Sequence, residues 1–180
     1  TGLLIARGLG PENYGDFAFL LGCFMASRQL LDLGSSQAFY TFMSQKPRGR
    51  MFVASYAGWQ LVQFILPLLV ISLLVPAEWI QRIWVGQDKT LILLAFTAVY
   101  MRQNAWQMMA YIGESARLTH RVQWLNLAIG ATHFLLVIWV WKVNLLSAKL
   151  LFGLIVLEHL AALVIAYRLF FVHTLDDQPF

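Results

Sequence analysis

MFVASYAGWQLVQFILPLLVISLLV occupies residues 51–75 without one charged side chain. A helix needs about 20 mostly apolar residues to cross the hydrocarbon core of a bilayer, and this stretch is long enough. Its polar residues Tyr56, Gln60 and Gln63 recur at spacings of three and four, the period of a helix and not of a strand.

Four further stretches read the same way: Tyr14–Phe42, which is the most polar, Thr90–Ile112, Val122–Val143 and Ala148–Val172. Ahead of them TGLLIA, residues 1–6, reads as the end of another helix that begins upstream. The breaks between them are turn-like: GLGPENYG at 8–15, SQKPRGR at 44–50, PAEWIQRIWVGQDK at 76–89, GESARLTHR at 113–121 and KVNLLSAK at 142–149. Pro and Gly stop helices there by removing a donor or by permitting unusual dihedrals. In lipid every backbone group needs an internal partner, and no period-2 barrel pattern exists, so the spans are helices. The expected fold class is an all-α integral membrane bundle of about five complete transmembrane helices plus the end of a sixth. It forms a single membrane domain over residues 1–180, read as a fragment of a longer chain.

Composition supports a bilayer as solvent. Hydrophobic residues make up 59% and charged residues 12% of the chain, against about 45–50% and about 25% in soluble domains; the mean hydropathy is +0.65. The formal charge is +4, but the 13 basic residues are scattered without a stripe, which argues against a nucleic-acid partner. Cys23 is the only cysteine and supports neither a disulfide nor a zinc site. Phosphate-binding glycine loops, metal-ligand clusters and nucleophile elbows are absent, so no catalytic residue, metal or cofactor is expected.

Orientation follows from the short loops. Lys46, Arg48, Arg50, Arg117, Arg121 and Arg168 fall on one side; Arg7, Arg82, Lys89, Lys142 and Lys149 fall on the other with Trp79, Trp84, Trp139 and Trp141. Six against five places the first group in the cytoplasm.

Polar residues at membrane depth carry the functional signal. At a constant 100° per residue, 90–112 aligns Tyr100, Gln103, Gln107, Tyr111 and Glu114, with Asn104 at the edge. Gln60 and Gln63 share a face with Tyr56 and Pro67, Gln123 with Asn126, Gly130 and His133, and Arg28 with Asp32, Ser35 and Ser36. These stripes are read either as interhelical glue or as the wall of a cavity. Buried charge is costlier, at least about 2.5 kcal/mol per centred Arg or Asp on insertion scales, and faces a cavity or a partner. Arg102 and Glu158 are the central cases. Arg102 is expected to point away from the glutamine stripe of its own helix, with Trp106 as a cation–π partner. Arg28 and Asp32, four apart, are expected to pair with each other. Glu158 is read as half of a proton relay with His159 or as an ion pair with Arg102 or Arg28. His133 is read as a hydrogen-bonded packing residue.

The stretch ARGLGPENYGDFAFL, with Arg7, Leu9, Gly10, Pro11, Glu12, Tyr14, Gly15 and Phe17, resembles the amino-terminal signature of the polysaccharide transport family. These are O-antigen and polysaccharide flippases of the MATE-like flippase superfamily. Asp32–Leu33–Gly34 matches the family's "DLG", and GESARLTHR its "GExxRxxxR" loop. The resemblance implies one lobe of a two-lobed transporter in the bacterial cytoplasmic (inner) membrane, working by alternating access with a missing carboxy-terminal lobe. It implies an undecaprenyl-diphosphate-linked oligosaccharide as the translocated partner. Leu9, Gly10, Pro11, Glu12, Tyr14 and Gly15 then carry a structural motif. Arg28 and Arg102 are candidates for the diphosphate, Gln60, Gln63, Gln103, Gln107 and Asn126 for sugar hydroxyls, and Asp32, Glu158 and His133 for coupling to an ion. The alternatives are a cation-coupled multidrug exporter of the same superfamily and a non-transporting membrane scaffold. A membrane enzyme is disfavoured, because no loop between spans exceeds about 15 residues.

Overall fold

The computed structural model describes residues 1–46, 48–84 and 86–171. Pro47 in the second expected turn and Val172 at the end of the last expected span lie outside the described residues. Among the described residues eight α-helices occur: α1 Gly2–Asp32, α2 Ser35–Gln45, α3 Arg50–Leu69, α4 Ala77–Ile83, α5 Lys89–Tyr100, α6 Trp106–Ser115, α7 Thr119–Lys142 and α8 Ala148–Ala166. π-Helical turns extend α3 over Val70–Leu74, join α5 to α6 over Met101–Ala105, and extend α8 over Tyr167–Phe171. No strand occurs among the described residues.

Among the described residues three helical stretches are long and apolar enough to cross a membrane: Arg50–Leu74, Thr119–Lys142 and Ala148–Phe170. A fourth arises if α1 and α2, bent by 58° at their junction, form one span. The expected span Thr90–Ile112 lies within a continuous helical stretch of α5, its π turn and α6, but is not among the helices that qualify. Its second half carries Arg102, Gln103, Asn104 and Gln107, which dilute its hydropathy. It is instead the most enclosed part of the bundle, with Ile92, Ala95 and Ala98 fully buried.

The break after the first segment is sharper than a loop. Only Gly10 leaves helical geometry, at φ 76° and ψ 167°, inside an otherwise helical Gly2–Asp32. A positive φ suits glycine, and Pro11 then occupies the first position of the resumed helix, where its missing N–H costs nothing. Asn13 Nδ2 donates to the Leu9 carbonyl at 3.2 Å. Leu9 is buried, Tyr14 packs on the core, and Glu12 stays exposed.

The expected helix 14–42 therefore begins at Pro11 and breaks at Leu33–Gly34. Leu33 (φ 47°) and Gly34 (φ 79°) are both left-handed. Asp32 recaps the chain beyond the break: its Oδ1 accepts from the Ser36 amide at 3.1 Å and from Ser35 Oγ at 3.0 Å, and its Oδ2 accepts from Ser36 Oγ at 2.7 Å.

Two apolar clusters close the two ends of the bundle. One joins Phe17, Leu20 and Phe24 of α1, Leu91 to Val99 of α5, Val137 of α7 and Leu151 to Ile155 of α8. The other joins Phe39 and Met43 of α2, Val53 of α3, Trp106 to Ile112 of α6, Val122 of α7 and Ala162 to Phe170. The longer helical stretches run from one cluster to the other, α1–α2, α5–α6 and α8 in one sense and α3 and α7 in the opposite sense, while the short α4 touches only the first cluster. The small residues Ala162 and Ala166 are buried in the second cluster, whereas Ala54 and Gly58 are exposed.

Candidate functional site

Between the two apolar ends, polar side chains collect on opposite sides of the π turn Met101–Ala105. On one side lies a cavity of about 400 Å³, lined by Arg102, Gln103, Trp106, Gln107, Asn126, Ile129, Gly130, His133, Ile155, Glu158 and His159. Its walls come from the α5–α6 stretch, α7 and α8. On the other side the π turn is tied to α1 and α3.

Six of the candidates named from the sequence thus share one cavity: Arg102, Gln103, Gln107, Asn126, His133 and Glu158. A constant α-helical angle puts Arg102 on a different face from Gln103 and Gln107, and the π turn departs from that angle. Hydrogen bonds there run from i to i+5, which brings residues five apart, such as Arg102 and Gln107, to one face.

The cavity has committed and uncommitted groups. His133 Nδ1 lies 2.9 Å from Glu158 Oε2 and 3.2 Å from Oε1, joining α7 to α8. Glu158 therefore pairs with His133, not with Arg102 or Arg28. His133 is a hydrogen-bonded residue as expected, but its partner is ionisable. His159, adjacent in sequence, is buried, and its Nδ1 lies 2.8 Å from the Ile155 carbonyl; among the described residues it has no hydrogen bond to Glu158. Trp106 Nε1 donates to Asn126 Oδ1 at 2.8 Å, fixing one carboxamide between α6 and α7. Arg102 is exposed and, among the described residues, its guanidinium has no hydrogen bond, ion pair or cation–π contact, with Trp106 or otherwise. The side-chain carboxamides of Gln103 and Gln107 are likewise unbonded among the described residues.

Arg28, Asp32, Gln60 and Gln63 lie outside this cavity. Arg28 Nε donates to Asn104 Oδ1 at 3.3 Å and Nη2 to the Gln103 carbonyl at 3.2 Å, so the expected pair with Asp32 does not form. Asp32 is consumed by the cap on α2. Asn104 Nδ2 donates to Gln60 Oε1 at 2.6 Å, and Gln60 Nε2 to Tyr56 Oη at 2.5 Å. Gln63 Nε2 donates to the Leu31 carbonyl at 2.7 Å, a carbonyl near the broken end of α1. A second space of about 10 Å³ beside Arg28, Gln63, Tyr100 and Asn104 is too small for a ligand larger than about one water molecule.

Ile129 and Ile155 also line the cavity, with Trp106 and His159, which the sequence offers as partners of Arg102 and Glu158. Nothing in the sequence marks Ile129 or Ile155, since an apolar residue on an apolar helix has no signal until its neighbours are placed. Trp106 and His159 stand close in sequence to Arg102 and Glu158, and that proximity is the available clue.

No group of three or more His, Cys, Asp or Glu that would hold a metal ion occurs among the described residues. The fold and site together define an all-helical chain with membrane-length apolar helices around a polar cavity. Comparison with family models, curated proteins and solved structures found no match.

Proposed function

We propose that the chain is one lobe of a membrane transporter whose cavity receives the polar head of an amphipathic substrate. The head is an oligosaccharide carried on undecaprenyl diphosphate, translocated across the bacterial cytoplasmic membrane for cell-surface polysaccharide or O-antigen synthesis. The observation that carries this reading is the contrast across the π turn. Arg28, Asn104 and Gln60 satisfy one another, whereas Arg102, Gln103 and Gln107 face a cavity with their side-chain donors uncommitted.

A guanidinium at membrane depth without a protein partner is costly and calls for an anion or water in front of it. Its planar donor fork matches phosphate and carboxylate oxygens. Two free carboxamides and the fixed Asn126 offer donors and acceptors to sugar hydroxyls. At about 400 Å³ the cavity falls in the range of about 300–1,000 Å³ typical of small-ligand sites. It has room for a sugar or two beside one anionic group, while a prenyl tail stays in lipid.

The His133–Glu158 pair is the candidate for ion coupling, since the contact between α7 and α8 runs through two ionisable side chains. Asp32 is a weaker candidate, because all of its bonds serve the junction of α1 and α2. The second lobe of the transporter and the surrounding bilayer are the partners on this reading.

Replacing Arg102 and Gln107 by Ala in the full-length protein should lower surface glycan display while protein level in the membrane stays normal. Unchanged display in both variants would remove the proposal. A cation-coupled multidrug exporter is the second reading, favoured by Glu158 and the Trp106 wall. Drug efflux without a glycan phenotype would select it.

A further inference from the structure

The π turn Met101–Ala105 lies between the cavity and a hydrogen-bonded brace. An α-helix bonds residue i to i+4 and a π turn bonds i to i+5. Returning 101–105 to an α ladder would rotate everything after it by about one residue's angle, roughly 100°. Gln107 would then leave the wall it shares with Arg102. The composition of the cavity therefore depends on the turn keeping its register.

Arg28 is placed to hold that register. It stands on α1, outside the cavity, and its guanidinium reaches two successive residues of the turn: Nη2 donates to the Gln103 carbonyl and Nε to Asn104 Oδ1. Asn104 in turn donates to Gln60 of α3 at 2.6 Å, and Gln60 to Tyr56 at 2.5 Å. One residue, Gln103, presents its side chain to the cavity and its carbonyl to Arg28. We propose that Arg28 is a positioning residue, which never touches the ligand and selects the π register that assembles Arg102, Gln103 and Gln107 on one wall. The purpose of that wall rests on the proposed function; the register itself does not.

The test uses the full-length protein with Cys23→Ser and single reporter cysteines at Gln103, Gln107 and Gly130. Gly130 is a control on α7, where an added Cβ meets nothing within 4 Å. The reading is the rate of labelling by a hydrophilic maleimide, in membranes, with Arg28 intact or changed to Met or Lys. Arg28→Met should slow labelling of Gln107→Cys about tenfold relative to Gly130→Cys. Arg28→Lys, which keeps a donor for the Gln103 carbonyl, should restore at least part of the rate. Asn104→Leu, on the other side of the brace, should reproduce the Arg28→Met pattern and carries the test if Arg28→Met does not fold. Labelling within twofold of the parent in whichever of these two variants folds overturns the proposal, and so does failure of Lys to restore any rate.

Inorganic pyrophosphate, added to the Arg28-intact reporters, separates this inference from the function it serves. Protection of Gln103→Cys and Gln107→Cys supports an anion site. Absence of protection together with a register change on Arg28→Met counts against the anion reading and leaves the positioning role standing.

Discussion

His133 on α7 and Glu158 on α8 meet through Nδ1 and Oε2 at 2.9 Å, with side-chain exposures of 20% and 6%. They are 25 residues apart in sequence, so the contact is made by the packing of two membrane-length helices and not by local geometry. Interhelical hydrogen bonds in membranes are worth about 0.6 kcal/mol on average and about 1.7 at most. Stranding a buried carboxylate costs more, about 3 kcal/mol or above where water is excluded. Glu158 is the more buried partner, so the two single changes are unequal. His133→Leu should lower the unfolding midpoint in detergent more than Glu158→Gln, and His133→Leu with Glu158→Leu should recover much of the loss. Equal and additive losses would show that the pair is not coupled.

Gly113 tests the packing behind the cavity. A Cβ added there would lie 2.6 Å from Val122 Cγ2 and 3.2 Å from the Phe170 ring. Overpacking of this kind typically costs about 1–3 kcal/mol, which exceeds the gain of about 1 kcal/mol from replacing a helical glycine by alanine. Gly113→Ala should therefore destabilise the protein, while Gly58→Ala, where nothing lies within 4 Å, should be neutral or stabilising. Thermal unfolding of the two variants side by side checks both signs.

How much of the fold and site is legible in the sequence depends on which geometry each residue obeys. Asn126, His133 and Glu158 lie on helices without a break at their level, and membrane depth alone marks them in the sequence. A constant angle per residue assigns Arg102 to the wrong face, because a π turn leaves no signature that such an angle detects. The Arg28–Asp32 pair fits the four-residue spacing equally well, yet Asp32 precedes a broken helix whose free amide it caps, and the Arg28 guanidinium is bonded to Gln103 and Asn104 instead. That break lies at Leu33–Gly34, and only the glycine announces it. The span at 90–112 shows the opposite limit: its burial comes from neighbouring helices, not from its own hydropathy.

Leu33 carries the clearest local strain. Its φ of 47° is left-handed, and its side chain is 85% exposed within the chain, so little packing opposes a change. A left-handed conformation costs a side-chain-bearing residue about 1–2 kcal/mol, against about 0.5–1 kcal/mol of extra chain entropy for glycine. Leu33→Gly should raise stability by up to about 1 kcal/mol. A fall in the unfolding midpoint would show that Leu33 is held by contacts outside this chain.

Acid dependence has one local source at the far end of the bundle. Asp88 caps α5 by accepting from the Thr90 amide, and Lys149 Nζ lies 2.7 Å from its Oδ2. The Lys149 hydrogen bond, with that of Thr90, holds its pKa below the ordinary 3.8. A depressed carboxyl pKa stabilises the fold above the ordinary value, and that contribution is lost as pH falls through the lowered one. Asp88→Asn should flatten the dependence of stability on pH below about pH 4, by lowering stability slightly at neutral pH and leaving it unchanged at low pH. Both side chains are exposed, so the effect is small and should shrink with added salt.

The proposed role of the cavity between α5–α6, α7 and α8 is to receive an anionic glycan head through Arg102. The most direct measurement is translocation of a fluorescent undecaprenyl-diphosphate-linked saccharide in vesicles containing the full-length protein, read by quenching of the outer leaflet. Movement between leaflets is expected with the parent protein, and a loss of at least about tenfold, or about 1.4 kcal/mol, for Arg102→Ala at equal incorporation and stability. Equal movement by the parent and Arg102→Ala, or none above protein-free vesicles with either, would contradict it.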